Sequence, residues 1–147
     1  MGNGFLGIDL KNRTAEFWDN GDVKFSGTAL ATAGVAVARI LQEPEKFKNR
    51  FLYVSDWTVS QRDVVRVLEK VSGERWVEKS VRGEERVREG KERLEKGDQN
   101  GVFELVKSAF LVEGLKTNFE RDERLANEEL GLPVLELEEL VRGVLGK

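Results

Sequence analysis

The sequence predicts an α/β or α+β fold: a small, mostly parallel sheet with an attached β-hairpin, covered by helices, in a single domain over residues 1–147. Three observations point there. Residues 28–71 read helix, strand, helix, an order suited to joining parallel strands. Two short β-prone runs flank Asn20-Gly21, a dipeptide suited to hairpin turns because both residues tolerate positive φ. The last third carries helical rather than strand periodicity. A chain of 147 residues is long enough to bury a core without disulfides or a structural metal.

Taken in order, Thr14-Ala15-Glu16-Phe17-Trp18 and Val23-Lys24-Phe25-Ser26 are the arms of the expected hairpin, joined through Asp19-Asn20-Gly21-Asp22. Residues 29–41 are mostly apolar, with only Arg39 charged, so the helix expected there should be buried on more than one side. Gly34 inside it costs about 1 kcal/mol against alanine, which close backbone packing would explain. Glu43-Pro44 ends that helix, since proline lacks a donor and restricts its predecessor. Phe51-Leu52-Tyr53-Val54-Ser55 reads as a short strand with too little alternation for an exposed sheet face. Thr58 or Ser60 caps the next helix, and Ser60-Gln61-Arg62-Asp63 approximates a capping box with Asp in place of Glu. Val64, Val67, Leu68 and Val71 share one helical face, and Ser72-Gly73 stops the helix. Residues 75–81 alternate like a strand.

Residues 83–96 form a charge-dense helix whose face is solvated, with Glu84 to Arg88, Glu89 to Arg93 and Glu92 to Lys96 as favourable i,i+4 pairs. Val102, Leu105, Val106 and Ala109 repeat the helical spacing. Residues 120–130 read as a short helix ended by Gly131 and Pro133. Leu137, Leu140, Val141 and Val144 make a final amphipathic helix.

Composition excludes much of enzymology. Charged residues make up 35% and the formal charge is −3, with both signs intermixed, so no basic face for nucleic acid is expected. No apolar run approaches the roughly 20 residues that span a bilayer, and the N-terminus lacks the pattern of a secretory signal. The absence of cysteine makes a reducing, cytoplasmic setting the default. With no His and no Cys, neither a Ser-His-Asp triad, a cysteine nucleophile nor an ordinary zinc site can be built. The single tyrosine, Tyr53, is followed four residues later by Trp57, so the Tyr-x-x-x-Lys pair of ordinary short-chain dehydrogenases is missing.

Three stretches carry a family resemblance. The first is Gly4-Phe5-Leu6-Gly7-Ile8-Asp9-Leu10 with the hairpin after it. The second is Leu30-Ala31-Thr32-Ala33-Gly34 with its apolar helix, Glu43-Pro44, Asn49 and Leu52-Tyr53-Val54-Ser55. The third is Thr58-Val59-Ser60-Gln61 opening a helix closed by Ser72-Gly73, then the Trp76 strand; residues 125–133 add support. Together they resemble the C-terminal part of the NmrA-like, isoflavone-reductase-like oxidoreductases, particularly the fungal members. The resemblance implies an atypical short-chain dehydrogenase fold whose N-terminal Rossmann region binds NADP(H). It also implies a small-molecule pocket made largely by the C-terminal part. The glycine-rich loop, the 2′-phosphate-binding basic residue and the catalytic lysine would then lie upstream of this chain, and no cofactor is expected on the chain alone. Gly2-Asn3-Gly4-Phe5-Leu6-Gly7 does spell G-x-G-x-x-G, but that fingerprint needs a preceding strand, a following helix and an acidic residue about 20 positions on. A glycine-rich entry to a strand is the better reading.

Ligands of open α/β sheets bind outside the carboxyl ends of strands, so Asp56, Trp57 and Thr58, directly after the 51–55 strand, are the candidate substrate-binding residues. Trp57 could stack on a flat aromatic substrate; the competing role is a loop tryptophan covering the core, with Asp56 or Thr58 as helix caps. Phe110, with Phe103 and Phe119, could form the opposite wall or belong to the core. No catalytic pair stands out, and Asp9, Asp56 and Asp63 have structural roles as the default.

Three functions are compatible with these residues. The chain is the substrate-binding portion of an NADP-dependent reductase, inactive without its Rossmann half because hydride transfer requires a positioned cofactor. Alternatively it is a non-catalytic regulatory or protein-interaction module, whose exposed edges would favour a homodimer or pairing with a full-length relative. A self-contained enzyme using Asp, Glu or Lys is the third.

Overall fold

The computed structural model describes residues 6–147. Most of the Gly2–Gly7 glycine pattern lies outside the described residues. The pattern leads into a hairpin and not a helix: β1 (Ile8–Asp9) pairs antiparallel with β2 (Thr14–Trp18), Ile8 opposite Ala15. Asp9 closes the turn. Its Oδ1 accepts the Lys11 and Asn12 backbone N–H groups at 2.9 and 3.0 Å, and its Oδ2 accepts the Asn12 amide at 2.8 Å.

The hairpin therefore lies one strand earlier than the Asn20-Gly21 pattern suggests. A turn does form there, with Gly21 at φ +68° and its N–H on the Trp18 carbonyl at 2.9 Å. The chain cannot fold back on β2, however, because both edges of β2 are taken. β5 (Val77–Val81) runs parallel along the second edge, from Thr14 opposite Val77 to Trp18 opposite Val81, giving the order β1-β2-β5. Arg62 fixes the departing turn by donating Nε to the Asn20 carbonyl at 2.7 Å and its backbone N–H to the Gly21 carbonyl at 3.1 Å. The second arm instead becomes β3 (Phe25–Gly27), antiparallel to β4 (Trp57–Val59) in a separate two-stranded sheet. The result is a mixed α/β chain with a helical C-terminal part.

The helices are α1 (Leu30–Gln42), α2 (Pro44–Phe47), α3 (Gln61–Ser72), α4 (Gly83–Glu95), α5 (Gly101–Leu111), α6 (Phe119–Asp122) and α7 (Leu137–Leu145). α3 is the central one. Val64, Val65, Leu68 and Val71 bury its apolar face in the core that holds Phe17, Trp18 and Val141. Its N-terminus carries the expected capping box: Ser60 Oγ accepts the Asp63 N–H at 3.2 Å, and Asp63 Oδ2 accepts the Ser60 N–H at 2.8 Å. Gly73 at φ +76° ends it in the left-handed conformation that glycine adopts without a Cβ penalty.

Burial opposes the Asp63 charge, but hydrogen bonds from Lys24 and from Ser60 outweigh it and hold the carboxyl below its ordinary value. A carboxyl lowered on folding contributes stability above its unfolded pKa of about 4, and that stability is lost as pH falls through the folded value. Asp63→Asn should therefore cost about 1 kcal/mol at pH 7, and the gap from the wild type should narrow in urea titrations below about pH 3. A pH-independent difference would remove the charge from the argument.

Three other elements depart from the sequence reading. Residues 51–55 form no sheet strand; their one β-bridge is from Tyr53 to Leu125, with Ala126 N–H on the Tyr53 carbonyl at 2.8 Å. The helix over 120–130 is cut to α6, because Asn127 turns back to bond both backbone groups of Ser55, at 3.2 and 2.8 Å. In α4 the ion pairs are not the expected ones. Arg86 reaches β2 to meet Glu16 at 2.6 Å, and Arg88 pairs with Glu92 at 3.8 Å.

α1 forms where expected but is not buried on more than one side. Thr32 and Ala36 are its buried residues, and Ala36 joins a small second core with Phe47, Ala126 and Leu130, flanked by Ile40, Leu52 and Val54. The rest of the helix is open: Leu30 is 89% exposed, Val37 56% and Leu41 71%. Gly34 has no backbone packed against it, since a Cβ placed there would meet nothing within 4 Å.

Candidate functional site

The one parallel strand pair among the described residues is β2 with β5, and the carboxyl ends of these two strands open into a cleft of about 510 Å³. That is the position where open α/β sheets bind ligands, and the volume falls in the range of about 300–1,000 Å³ typical of small-molecule sites. Trp18, Asp19 and Asn20 line it from the end of β2, Arg82 and Glu84 from the end of β5, and Val112 and Glu113 from the far end of α5. A second cleft of about 510 Å³ shares Asp22, Val23 and Glu113 with the first and continues past Lys24 to Arg121 and Asp122.

Backbone features at the strand ends build the floor. Asp19 adopts φ +53°, donates its N–H to the Val81 carbonyl at 2.7 Å and accepts the Gly83 N–H on Oδ1 at 3.0 Å. It thereby satisfies a donor at the N-terminus of α4 that no helical carbonyl reaches. A Cβ on Gly83 would lie 2.8 Å from Asp19 Oδ2 and 3.0 Å from Val112 Cγ2, so a larger residue here would push the Asp19 and Val112 side chains aside. α5 is set against α4 by a backbone contact between Gly90 and Gly101, which brings Val112 and Glu113 to the cleft.

The first cleft is acidic, with Asp19, Asp22, Glu84 and Glu113 against Arg82. The second is mixed, with Lys24, Lys116 and Arg121 facing Asp22, Glu113 and Asp122. There, a hydrogen bond from Arg121 at 2.7 Å holds the Asp122 carboxyl below its usual range. Such a lining suits a polar or cationic small molecule, or the polar groups of a larger one. It presents no nucleophile activated by a neighbouring base. Tyr53 is half-buried elsewhere, its ring 5.2 Å from that of Phe119, lining a smaller cleft of about 210 Å³ with Arg50, Leu52 and Arg124. Among the described residues no cluster of carboxylates is arranged to hold a metal ion.

The four residues singled out from the sequence do not line the two larger clefts. Asp56 Oδ2 accepts the Ala29 N–H at 2.7 Å, anchoring the N-terminus of α1; Oδ1 is buried and has no partner among the described residues. Trp57 is half-buried in β4 and donates Nε1 to the Leu135 carbonyl at 2.6 Å, tying the chain before α7 to the sheet. Thr58 lies opposite Ser26 in the β3–β4 ladder. Phe110 meets Phe25 edge to face, ring centroids 6.0 Å apart, and seats α5 on β3. The structure thus brings Asp56, Trp57 and Thr58 to one short segment, with Phe110 at the other end of the ladder. Asp19, Arg82 and Glu113 are not anticipated from the sequence, because the pairing of β2 with β5 that gathers them is nonlocal.

Fold and cleft define a mixed α/β chain with a cleft at the carboxyl ends of its parallel strands. Comparison with known proteins adds chemistry to that description. The chain is 36% identical over 141 residues to the oxidoreductase aprR of Aspergillus flavus, an alignment covering 96% of this chain and 48% of that protein. It is 28% identical over 109 residues to the oxidoreductase poxI of Penicillium oxalicum, covering 74% of this chain and 35% of that protein. The chain is therefore related to fungal oxidoreductases and spans about half the length of the curated relatives it matches, or less. No family model matches the chain. No solved structure matches it either.

Proposed function

We propose that this chain is the substrate-binding half of an NAD(P)-dependent oxidoreductase of the NmrA-like, isoflavone-reductase-like type. The observation that carries the reading is the alignment of 96% of the chain with half of an oxidoreductase. The missing half supplies the nicotinamide site and the chain supplies the cleft at the ends of β2 and β5, with Asp22, Arg82 and Glu113 orienting the polar groups of the substrate. On this reading Asp56, Trp57 and Thr58 serve the substrate indirectly, by holding α1 and the β3–β4 ladder. Phe110 does so by seating α5 beside Val112. Hydride transfer needs the cofactor positioned over the substrate, so the chain alone carries no reductase activity.

The test is calorimetric titration of the folded chain with NADPH, alone and after co-expression with the half of aprR that it does not span. No saturable binding to the chain alone, and binding with NADPH oxidation in the combined preparation, is the expected pair of results. Saturable binding to the chain alone would show a self-contained nicotinamide site and overturn the half-enzyme reading. A combined preparation that binds no NADPH would favour a non-catalytic interaction module.

A further inference from the structure

We infer that the exposed apolar face of α1, together with the open edge of residues 51–55, is the surface on which the absent half docks, adding a β-strand beside Leu52 and Val54. The inference rests on the half-enzyme reading above. Its occupant is the portion of the longer oxidoreductases that this chain does not span, about half of the aprR length.

The first observation is the helix face itself. Leu30, Gly34, Val37 and Leu41 recur at helical spacing on one stripe, all exposed, and Arg39 is the one charged residue of α1. A water-facing helix surface would carry charges there, as α4 does. The second is Gly34, which sits in the middle of this stripe. A helix-interior glycine is unfavourable unless something approaches the backbone closely, and within the chain nothing comes within 4 Å of its Cβ position.

The third observation is the strand edge. Backbone groups of successive extended residues point to opposite sides. Tyr53 and Ser55 use one side, toward Ala126 and Asn127. On the other side the Asp56 N–H meets the Gly27 carbonyl at 2.9 Å and the Val54 carbonyl accepts the Thr28 hydroxyl at 3.0 Å. There the neighbouring chain leaves the edge and turns into α1. The Val54 N–H and the Leu52 carbonyl beyond that point have no hydrogen-bond partner among the described residues. Ala36 and Ile40 of α1 share the second core with Leu52 and Val54, so the open edge and the apolar helix belong to one surface. Phe51, 93% exposed, extends it. An incoming strand gains main-chain bonds at the edge and apolar cover from the helix, the ordinary geometry of strand addition.

The experiment co-expresses the full chain with the half of aprR that it does not span, and measures association by light scattering and amide exchange by mass spectrometry. A one-to-one complex is expected, with exchange at Val54 slowed at least roughly tenfold relative to the chain alone. Val37→Lys and Leu41→Lys should weaken the complex by about two orders of magnitude through burial of an unpaired ammonium. Both should leave the Tm of the isolated chain unchanged, since both side chains face water there. Gly34→Ala should raise the isolated chain's Tm by about 2–4 °C yet weaken the complex. No complex, a complex indifferent to these substitutions, or a homodimer abolished by Val37→Lys would each overturn the assignment, the last by making a second copy the occupant. A complex formed through this face that fails to bind NADPH leaves the docking surface standing and removes the enzyme reading instead.

Discussion

Gln61→Leu is expected to destabilise the folded chain by roughly 2–4 kcal/mol, among the largest effects of any substitution that leaves no cavity. Gln61 opens α3, yet its side chain is turned inward and only 1% of the residue is exposed. Its Oε1 accepts the Trp18 backbone N–H at 3.0 Å, while Nε2 donates to the Leu6 carbonyl at 2.7 Å and to the Glu16 carbonyl at 2.9 Å. One amide thus joins α3 to the end of β2 and to the segment entering β1. Leucine leaves no cavity, and its branched side chain adds some overpacking to a loss that comes chiefly from hydrogen bonding. Removing one side of a buried pairing leaves its partners desolvated, and each such group costs about 1–3 kcal/mol. Gln61→Glu is the informative companion: it keeps an acceptor for Trp18 but turns a carboxylate toward two carbonyl oxygens, and should be no better tolerated at pH 7. Urea denaturation with an unchanged m-value is the readout. A loss below about 0.5 kcal/mol for Gln61→Leu would mean that water replaces the amide and that this junction is not dry.

Local chemistry is legible in the sequence and nonlocal pairing is not. The α3 capping box at Ser60 and Asp63, the stop at Gly73 and the amphipathic faces of α3 and α7 depend on neighbours within four residues, and the structure has them where the spacing puts them. The hairpin is displaced because Asn20-Gly21 reports a turn, not which strand pairs after it. The competitor for that edge, β5, lies some sixty residues downstream and is an exposed edge strand whose alternation does not show its partner. The same nonlocal pair creates the candidate cleft, so Asp19 and Arg82 cannot be grouped from their positions in the chain. The departure at α1 has a different origin. Its composition is that of a buried helix, yet Leu30, Val37 and Leu41 are exposed among the described residues, and the proposed docking surface rests on that mismatch.

Gly101→Ala should cost about 2 kcal/mol or more and open the α4–α5 hairpin before the rest of the chain unfolds. An added Cβ would lie 2.3 Å from the Gly90 carbonyl oxygen, 3.0 Å from Leu94 Cγ and 3.1 Å from Arg93 Cβ. Side chains can yield, but the closest atom is backbone in the middle of α4, so the helices themselves must separate. Overpacking of well-fitted elements typically costs about 1–3 kcal/mol, more than the gain of up to about 1 kcal/mol that alanine brings to a helix. Beyond that contact the hairpin is anchored at one end, by Leu111 and Phe110 in the main core and by Arg86 on Glu16, and the turn end has little to hold it. Gly90 and Gly101 are buried, but Val102, Phe103 and Val106 are exposed, and Val87, Leu94 and Leu105 are only half-buried. Its opening should therefore be a local event, seen as faster amide exchange in α4 and α5 with α3 still protected. Gly143→Ala supplies the contrast. It is a helical glycine in open space within α7, and the same substitution there should stabilise by about 0.5–1 kcal/mol. Because Glu84 and Val112 stand at the start of α4 and the end of α5, opening the hairpin also dismantles one wall of the cleft. Gly101→Ala should then weaken ligand capture in any reconstituted enzyme, whereas Gly143→Ala should not. If Gly101→Ala instead matched Gly143→Ala in stability and exchange, the two helices could not be in backbone contact, and the placement of Val112 and Glu113 at the cleft would lose its physical basis.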